Sequence, residues 1–447
     1  MKNIIKIFMC MALIAAIGFG ITACSDPDNS GNSAAPSEQQ PFNDITAAQL
    51  VSCIKIGWNL GNSLDAHDLT WLPPNPPVAD METGWGNPVI TKAMITAVKN
   101  AGFNAIRIPV SWDKASNSNH VIRADWMARV TEVVNYAVEN DMYIILNTHH
   151  DEHIFKFSEA EKTASLAAFR KIWEQIADNF KNYNEKLIFE GLNEPRTKGS
   201  AQEWSGGTEA ERAVLNAYYP VFIDVVRNSG GNNDKRILMI NTYAASTSAA
   251  AVNGLTLPAD TIANKLIASV HAYEPYNFAL NENAALNTWS SSNPGDTSPI
   301  HAAIDNVYNK FVSKGIPVIM GEFGAVVKDN ESARAQWAQY YVTYAAGKGV
   351  KCVYWDDGGL FKLLNRQNNQ WLFPQVVAGL MNGANSNYNP GEPVEPPAAN
   401  SGDLGNYAKY ETQAVWQLSS ENVTLAKTAG AKLVLILSAV HMVGTCK

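Results

Sequence analysis

Lysine and arginine never gather into a block in this chain, and 34 basic against 42 acidic residues leave a formal charge of -8. Such a chain has no means of neutralising a run of phosphates, which excludes nucleic acid as a partner and favours a neutral ligand. Cysteine is scarce too. Five in 447 residues are too few and too scattered for a disulfide framework. Long apolar runs are missing: the stretches at 7–20 and 432–443 both fall short of the roughly 20 residues that a membrane-crossing helix needs. Also absent is the Gly-x-Gly-x-x-Gly order of a phosphate-binding turn, since the first apolar run continues as "GWNLGNSLD". That counts against an open doubly wound sheet.

What is present is a hydrophobic content of 46%, enough for a large core, together with 12 Trp and 16 Tyr. Aromatic faces suit sugar rings, although most buried aromatics are simply core. At the N-terminus Lys2 and Lys6 precede "IFMCMALIAAIGFG", the charged-then-apolar pattern of a secretory signal. The following "ITAC" at 21–24 resembles a bacterial lipobox, which makes Cys24 the lipid-bearing first residue of the mature chain. The alternative is an ordinary signal peptide with an incidental cysteine. Residues 25–40, "SDPDNSGNSAAPSEQQ", have the composition of a flexible tether, and their acidic start resembles a surface-export tag. The expected location is therefore the cell envelope, as an outer-membrane lipoprotein facing outward, or the exterior if the lipobox is not used. Membrane contact is expected through the anchor alone, and a monomer is expected.

With Cys10 lost in the signal and Cys24 lipidated, Cys53, Cys352 and Cys446 remain. Cys53 and Cys352 fall at or near the first and last strands, so a bridge is conceivable, but two buried free thiols are the expectation because disulfide geometry is narrow.

Eight apolar runs recur along the chain, beginning at residues 53, 103, 142, 187, 236, 266, 317 and 350. Between most of them lie segments such as "ADWMARVTEVVNYAVEND", with the three- and four-residue spacing of amphipathic helices. Eight such alternations spell an α/β fold, the (β/α)8 or TIM barrel. The expected division is a signal at 1–23, a tether at 24–41, the barrel at 42–383, a Pro/Asn-rich linker at 384–402, and an incomplete accessory module or disordered tail at 403–447. Two long connections, 62–90 and 274–298, carry Trp71, Trp85, Tyr276, Phe278 and Trp289. Half of these are expected to pin their own loops and the rest to face a ligand.

Polar residues collect at one end of the runs: Asn62 and Asp65, Arg107, His149 and His150, Asn193 and Glu194, His271 and Tyr273, Glu322, and Trp355. In a parallel barrel that end is the catalytic rim. Two carboxylates across one cleft are what glycosidic cleavage needs, because the leaving oxygen must gain a proton while positive charge develops at the anomeric carbon. Glu194 is read as the acid, its pKa raised by burial and by Glu322, and Glu322 as the ionised nucleophile. Arg107 and Tyr273 are expected to hold Glu322, and Asn193 to hold a sugar hydroxyl. The run "HHDEH" at 149–153 could mark zinc. Adjacent histidines on a strand point to opposite faces, however, so no catalytic metal is expected and both are read as donors near the sugar.

The segments "GWNLGNSLDA", "ETGWGNP", "GFNAIRIPVSW", "NTHHD", "GLNEPR", "HAYEPYNF", "GEFGA" and "VYWDDG" together resemble glycoside hydrolase family 5, the cellulase family, in its endoglucanase and xyloglucanase branch. The resemblance covers roughly residues 42–385. It implies a retaining β-glycanase with Glu194 as acid/base and Glu322 as nucleophile. It also implies support from Arg107, His149, Asn193, His271 and Tyr273, a sugar platform at Trp355, and further sugar contacts at Asn62, Asp65 and His150. No cofactor is implied, and the partner is a β-glucan polysaccharide such as cellulose, mixed-linkage glucan or xyloglucan. A β-mannanase or other hemicellulase, a non-catalytic glycan-binding lipoprotein and a zinc-dependent hydrolase are the alternatives.

Overall fold

Eight parallel strands close into a barrel in sequence order: β1 (Gly57–Leu60), β2 (Ala105–Ile108), β3 (Tyr143–Asn147), β4 (Leu187–Glu190), β5 (Leu238–Ser246), β6 (Leu266–His271), β7 (Val318–Phe323) and β8 (Val350–Asp356). The ring is completed by β1 pairing with β8, Trp58 lying opposite Tyr354. The structure is a computed structural model that describes residues 41–386. The expected signal, Cys24, nearly all of the tether, the C-terminal tail and most of the linker lie outside the described residues. Among those residues no helix is long and apolar enough to cross a membrane.

A helix follows each strand. The helix α1 (Ala47–Cys53) precedes β1, and then come α2 (Lys92–Asn100), α3 (Ala124–Glu139), α4 (Lys162–Phe180), α5 (Glu209–Asn228), α6 (Ala249–Gly254), α7 (Pro294–Lys310), α8 (Glu331–Gly347) and α9 (Pro374–Asn385). Their starts are written locally. Thr46 and Gln49 cap α1 reciprocally, as Thr208 and Glu211 cap α5, each pair satisfying amides that the helix leaves free. The helix α9 runs to Asn385, two residues past the expected end of the barrel at 383.

Two apolar layers hold the barrel. Helix faces pack on the outside of the strands, whereas at the bottom Leu50, Val51 and Ile54 of the α1 segment meet Ala105, Ile145, Ile188, Met239, Ile267, Ile319 and Val353. These seven come one each from β2 through β8, so α1 plugs the barrel floor. Cys53, at or near the first strand, was expected to be a buried free thiol. It instead ends α1 and is exposed, while Cys352 is buried in β8, and both are free.

Candidate active site

Above the plug the interior turns polar. Asn59, Arg107, Asn147, Glu190, Asn241 and Ser269, one from each of β1 to β6, are fully buried. Such groups are tolerated only when bonded, and Glu190 shows how. Its Oε2 accepts from Arg107 Nε (2.7 Å) and Asn147 Nδ2 (3.1 Å), and its Oε1 from Ser269 Oγ (2.7 Å) and Asn241 Nδ2 (3.0 Å). The sequence reading missed Glu190. A lone charge inside the apolar run "LIFEG" was the available signal, since a buried carboxylate implies a buried cation.

That cation is Arg107, which turns the floor toward the rim. Its Nη1 donates to Glu322 Oε1 and its Nη2 to Asn193 Oδ1, both at 2.7 Å. Burial alone would push the guanidinium pKa down, but Glu190 and Glu322 outweigh it and hold the group charged. Glu322 is fixed from the other side by the Tyr273 hydroxyl, which donates to Oε2 at 2.7 Å. Burial, and then the Glu322 charge, drives the Tyr273 phenol well above its usual pKa, so it remains a neutral donor. With its oxygen taken by Arg107, the Asn193 amide has its NH2 group left for a ligand.

Glu194 lies just past the end of β4, and the imidazole Nδ1 of His271 sits 3.0 Å from its Oε1 and 3.6 Å from Glu322 Oε2. One oxygen each of Glu194 and Glu322, with a ring nitrogen of His271, all lie within 4.8 Å of one another. The pairing of β6 with β7 shifts register between Val270 and His271, and that of β7 with β8 between Met320 and Phe323. Irregular pairing at the rim re-aims side chains, here those of His271 and Glu322. The expectation that Glu194 would have a raised pKa is overturned. Burial does push it up, but the His271 hydrogen bond and charge, with Arg196 3.7 Å away, together pull it below the ordinary carboxylate value.

The walls are aromatic. Trp355 and His149 lie parallel with ring centroids 5.9 Å apart, and burial followed by neighbouring positive groups holds His149 well below its usual pKa, as a neutral imidazole. The prediction that His149 and His150 face opposite ways fails. The strand β3 ends at Asn147, so both lie in the following loop, their rings 4.4 Å apart. Asp65, expected to contact sugar, is fully buried and accepts from the amides of Asn62 (2.9 Å) and Ser63 (2.6 Å), so it shapes the loop that carries half-buried Asn62. Of the loop aromatics, Phe278 and Trp289 are buried pins, whereas Trp71 and Tyr276 are exposed.

Two carboxylates, one clamped by a guanidinium and a phenol and the other beside an imidazole, under an aromatic wall, form a site for acid–base and nucleophilic chemistry on a polyhydroxylated ligand. Comparison with known proteins agrees. The model of the cellulase family, glycosyl hydrolase family 5, matches residues 72–359. The chain is 43% identical over 356 residues to "Endoglucanase A" of Clostridium longisporum, covering 78% of this chain and 68% of that protein. A broad specificity endoglucanase from Ruminococcus champanellensis, solved with bound cellotriose, superposes with a TM-score of 0.74 at 45% identity, covering 76% of this chain and all of that one (100%). A lichenase from Caldicellulosiruptor sp. F32 gives 0.72 at 40% identity, covering 77% of this chain and 97% of that one. The chain belongs to glycosyl hydrolase family 5, the cellulase family.

Proposed function

We propose that the protein is a retaining endo-β-1,4-glucanase that cuts internal bonds of cellulose-like or mixed-linkage β-glucans, carried on the outer membrane by a lipid at Cys24. The observation that carries the chemistry is the approach of Glu194 and Glu322 oxygens to within 4.8 Å. Retaining enzymes keep their carboxyl groups about 5–5.5 Å apart, and inverting ones about 6.5–9.5 Å apart to admit a water.

Glu322, held by Arg107 and Tyr273, attacks the anomeric carbon, and the bond to the leaving sugar breaks as its oxygen takes a proton from Glu194. Glu194 delivers it in its protonated form, and His271 Nδ1, 3.0 Å from Oε1, holds the carboxyl in place. Glu194, now a carboxylate, then removes a proton from water. The resulting hydroxide attacks the same carbon and frees Glu322. Charge on the sugar is met by the Glu322 carboxylate, and the Asn193 NH2 is available to the 2-hydroxyl, a contact that strengthens in the transition state. Trp355 serves as the platform under the sugar beside the cut. The glucan assignment is supported by relatives described as endoglucanases and a lichenase. The anchor is supported by "ITAC" followed by a polar tether.

Proton NMR of the reaction on cellotetraose, a xyloglucan oligosaccharide and mannotetraose reads substrate and stereochemistry together. Early β-anomer from a glucan is expected. Early α-anomer would overturn retention, cleavage of the mannan alone would replace the substrate, and no cleavage by folded protein would favour a glycan-binding role. Glu322→Ala should lose turnover and regain it with azide, giving an inverted glycosyl azide. For the anchor, palmitate labelling in a bacterial host should vanish in Cys24→Ala, and labelling that persists would refute it.

A further inference from the structure

The run "HHDEH" at 149–153 has a second consequence beside the cleft. The loop after β3 folds against the loop after β1, where His67, His150 and Glu152 each present a ligand atom, all within 4.8 Å of one another. Among the described residues, Nδ1 of His67 and Oε2 of Glu152 are buried without a hydrogen-bond partner, and Nδ1 of His150, also without a hydrogen bond, lies 3.5 Å from Glu152 Oε1. Polar atoms without a protein partner at the edge of a cavity are where water or an ion binds. Their companion atoms are held. His67 Nε2 lies 3.3 Å from Asp68, which His153 Nε2 fixes in turn at 2.6 Å. A proton on Nε2 leaves a bare lone pair on Nδ1, the arrangement by which an outer carboxylate orients a metal-binding histidine. Glu152 Oε1 faces Lys198 (3.4 Å) and Arg196 (3.5 Å), leaving Oε2 free. The rings of His67 and His150 lie 4.3 Å apart, and a cavity of about 330 Å³ lined by His67, Asp68, His150 and His153 opens beside them.

We propose that His67, His150 and Glu152 form a binding site for a divalent transition-metal ion of the zinc type, and that the bound ion inhibits by drawing His150 away from the sugar. Two imidazoles and a carboxylate are a donor set for zinc, with water from the cavity completing four-coordination. At zinc–nitrogen distances of about 2.0–2.1 Å the ligand atoms must draw closer than they stand, which side-chain rotation supplies. Of the opposing charges, Lys198 is 45% exposed and free to swing outward, Arg196 also pairs with Glu203 at 3.0 Å, and Lys114 on the cavity wall lies over the Trp126 ring. Two neighbouring groupings, Asp65–His149–His150 and Glu194–His271–Glu322, suit an ion less well. The Asp65 oxygens accept backbone amides, and those of Glu322 accept from Arg107 and Tyr273. The inhibitory half rests on His150 contacting sugar; the binding half does not.

Titration of chelator-treated protein with zinc should show one ion per chain at micromolar concentration, and cobalt in its place should give the intense visible band of a four-coordinate site. His67→Ala and Glu152→Gln should each weaken binding at least tenfold. Zinc should raise the KM for soluble β-glucan in the wild type, leave kcat unchanged, and do neither in the variants. Absence of one-to-one binding, or undiminished binding in both variants with native circular dichroism, would overturn the site. Bound zinc with an unaltered KM would overturn the inhibition.

Discussion

Glu190 is fully buried, yet it joins the barrel floor to Glu322 through one guanidinium. Glu190→Gln places an NH2 group against donors on one side or the other, because all four of its contacts donate to it. It also leaves Arg107 with a single carboxylate. Breaking a buried pair in this way costs about 3–5 kcal/mol, so the urea midpoint should drop together with kcat. A variant within about 1 kcal/mol of wild type would show that the floor is not coupled to stability in this way. Lys114 is the opposite case, a cation without an ion-pair partner among the described residues. It lies 4.3 Å over the Trp126 ring, and burial pulls its pKa down from 10.5 to about 7. Between those values the unfolded chain binds more protons than the folded one, so stability rises with pH across that window, and the full cost remains below about pH 7. Lys114→Met should therefore stabilise by about 2 kcal/mol at pH 6, a gain that shrinks toward pH 10. Denaturation curves at both pH values test this, and a gain independent of pH would assign it to packing instead.

At the scale of strands and loops, the eight apolar runs were legible because a parallel strand is buried on both faces and reads as continuous hydrophobicity. The two carboxylates proposed as catalytic stood out because they interrupt or follow such runs at one end. What was not legible depends on where a strand stops and what arrives from elsewhere. The end of β3 at Asn147 decides how His149 and His150 point, and His271 reaches Glu194 from β6, 77 positions along the chain. Glu190 went unread because the run around it looked like plain core. Gly61, just after β1, shows the tolerance at this scale. A Cβ there would stand 2.7 Å from the Trp355 indole and 3.0 Å from the Asp356 carbonyl. Gly61→Ala should displace the platform, lowering kcat/KM on glucan about tenfold, or about 1.4 kcal/mol, for a loss of about 1–3 kcal/mol in stability. Unchanged kcat/KM would mean that Trp355 does not bear the sugar.

For the whole molecule, closure of the ring makes the segment before β1 part of the fold rather than a leader to it. Asn43 donates twice to Glu185, at 2.9 and 2.8 Å, and Asp44 accepts from Lys265 at 2.7 Å, which stitches the incoming chain beneath the barrel. The fully buried Leu50 then meets one residue from each of seven strands through the α1 plug. All the groups assigned to catalysis lie within 41–386, as do the strands that position them. A chain cut to 41–386 should therefore keep its kcat/KM on soluble β-glucan and its melting temperature. A cut beginning at residue 55 removes both the stitches and the plug. Leu50→Ala alone should cost about 2–5 kcal/mol, and losing the whole helix should leave an insoluble or molten product, since the apolar floor of every strand from β2 to β8 is then open to water. Thermal melts and activity across a truncation series test the point. An active, cooperatively melting chain that starts at residue 55 would show the ring of strands to be self-sufficient, and α1 would be reduced to an ornament on it.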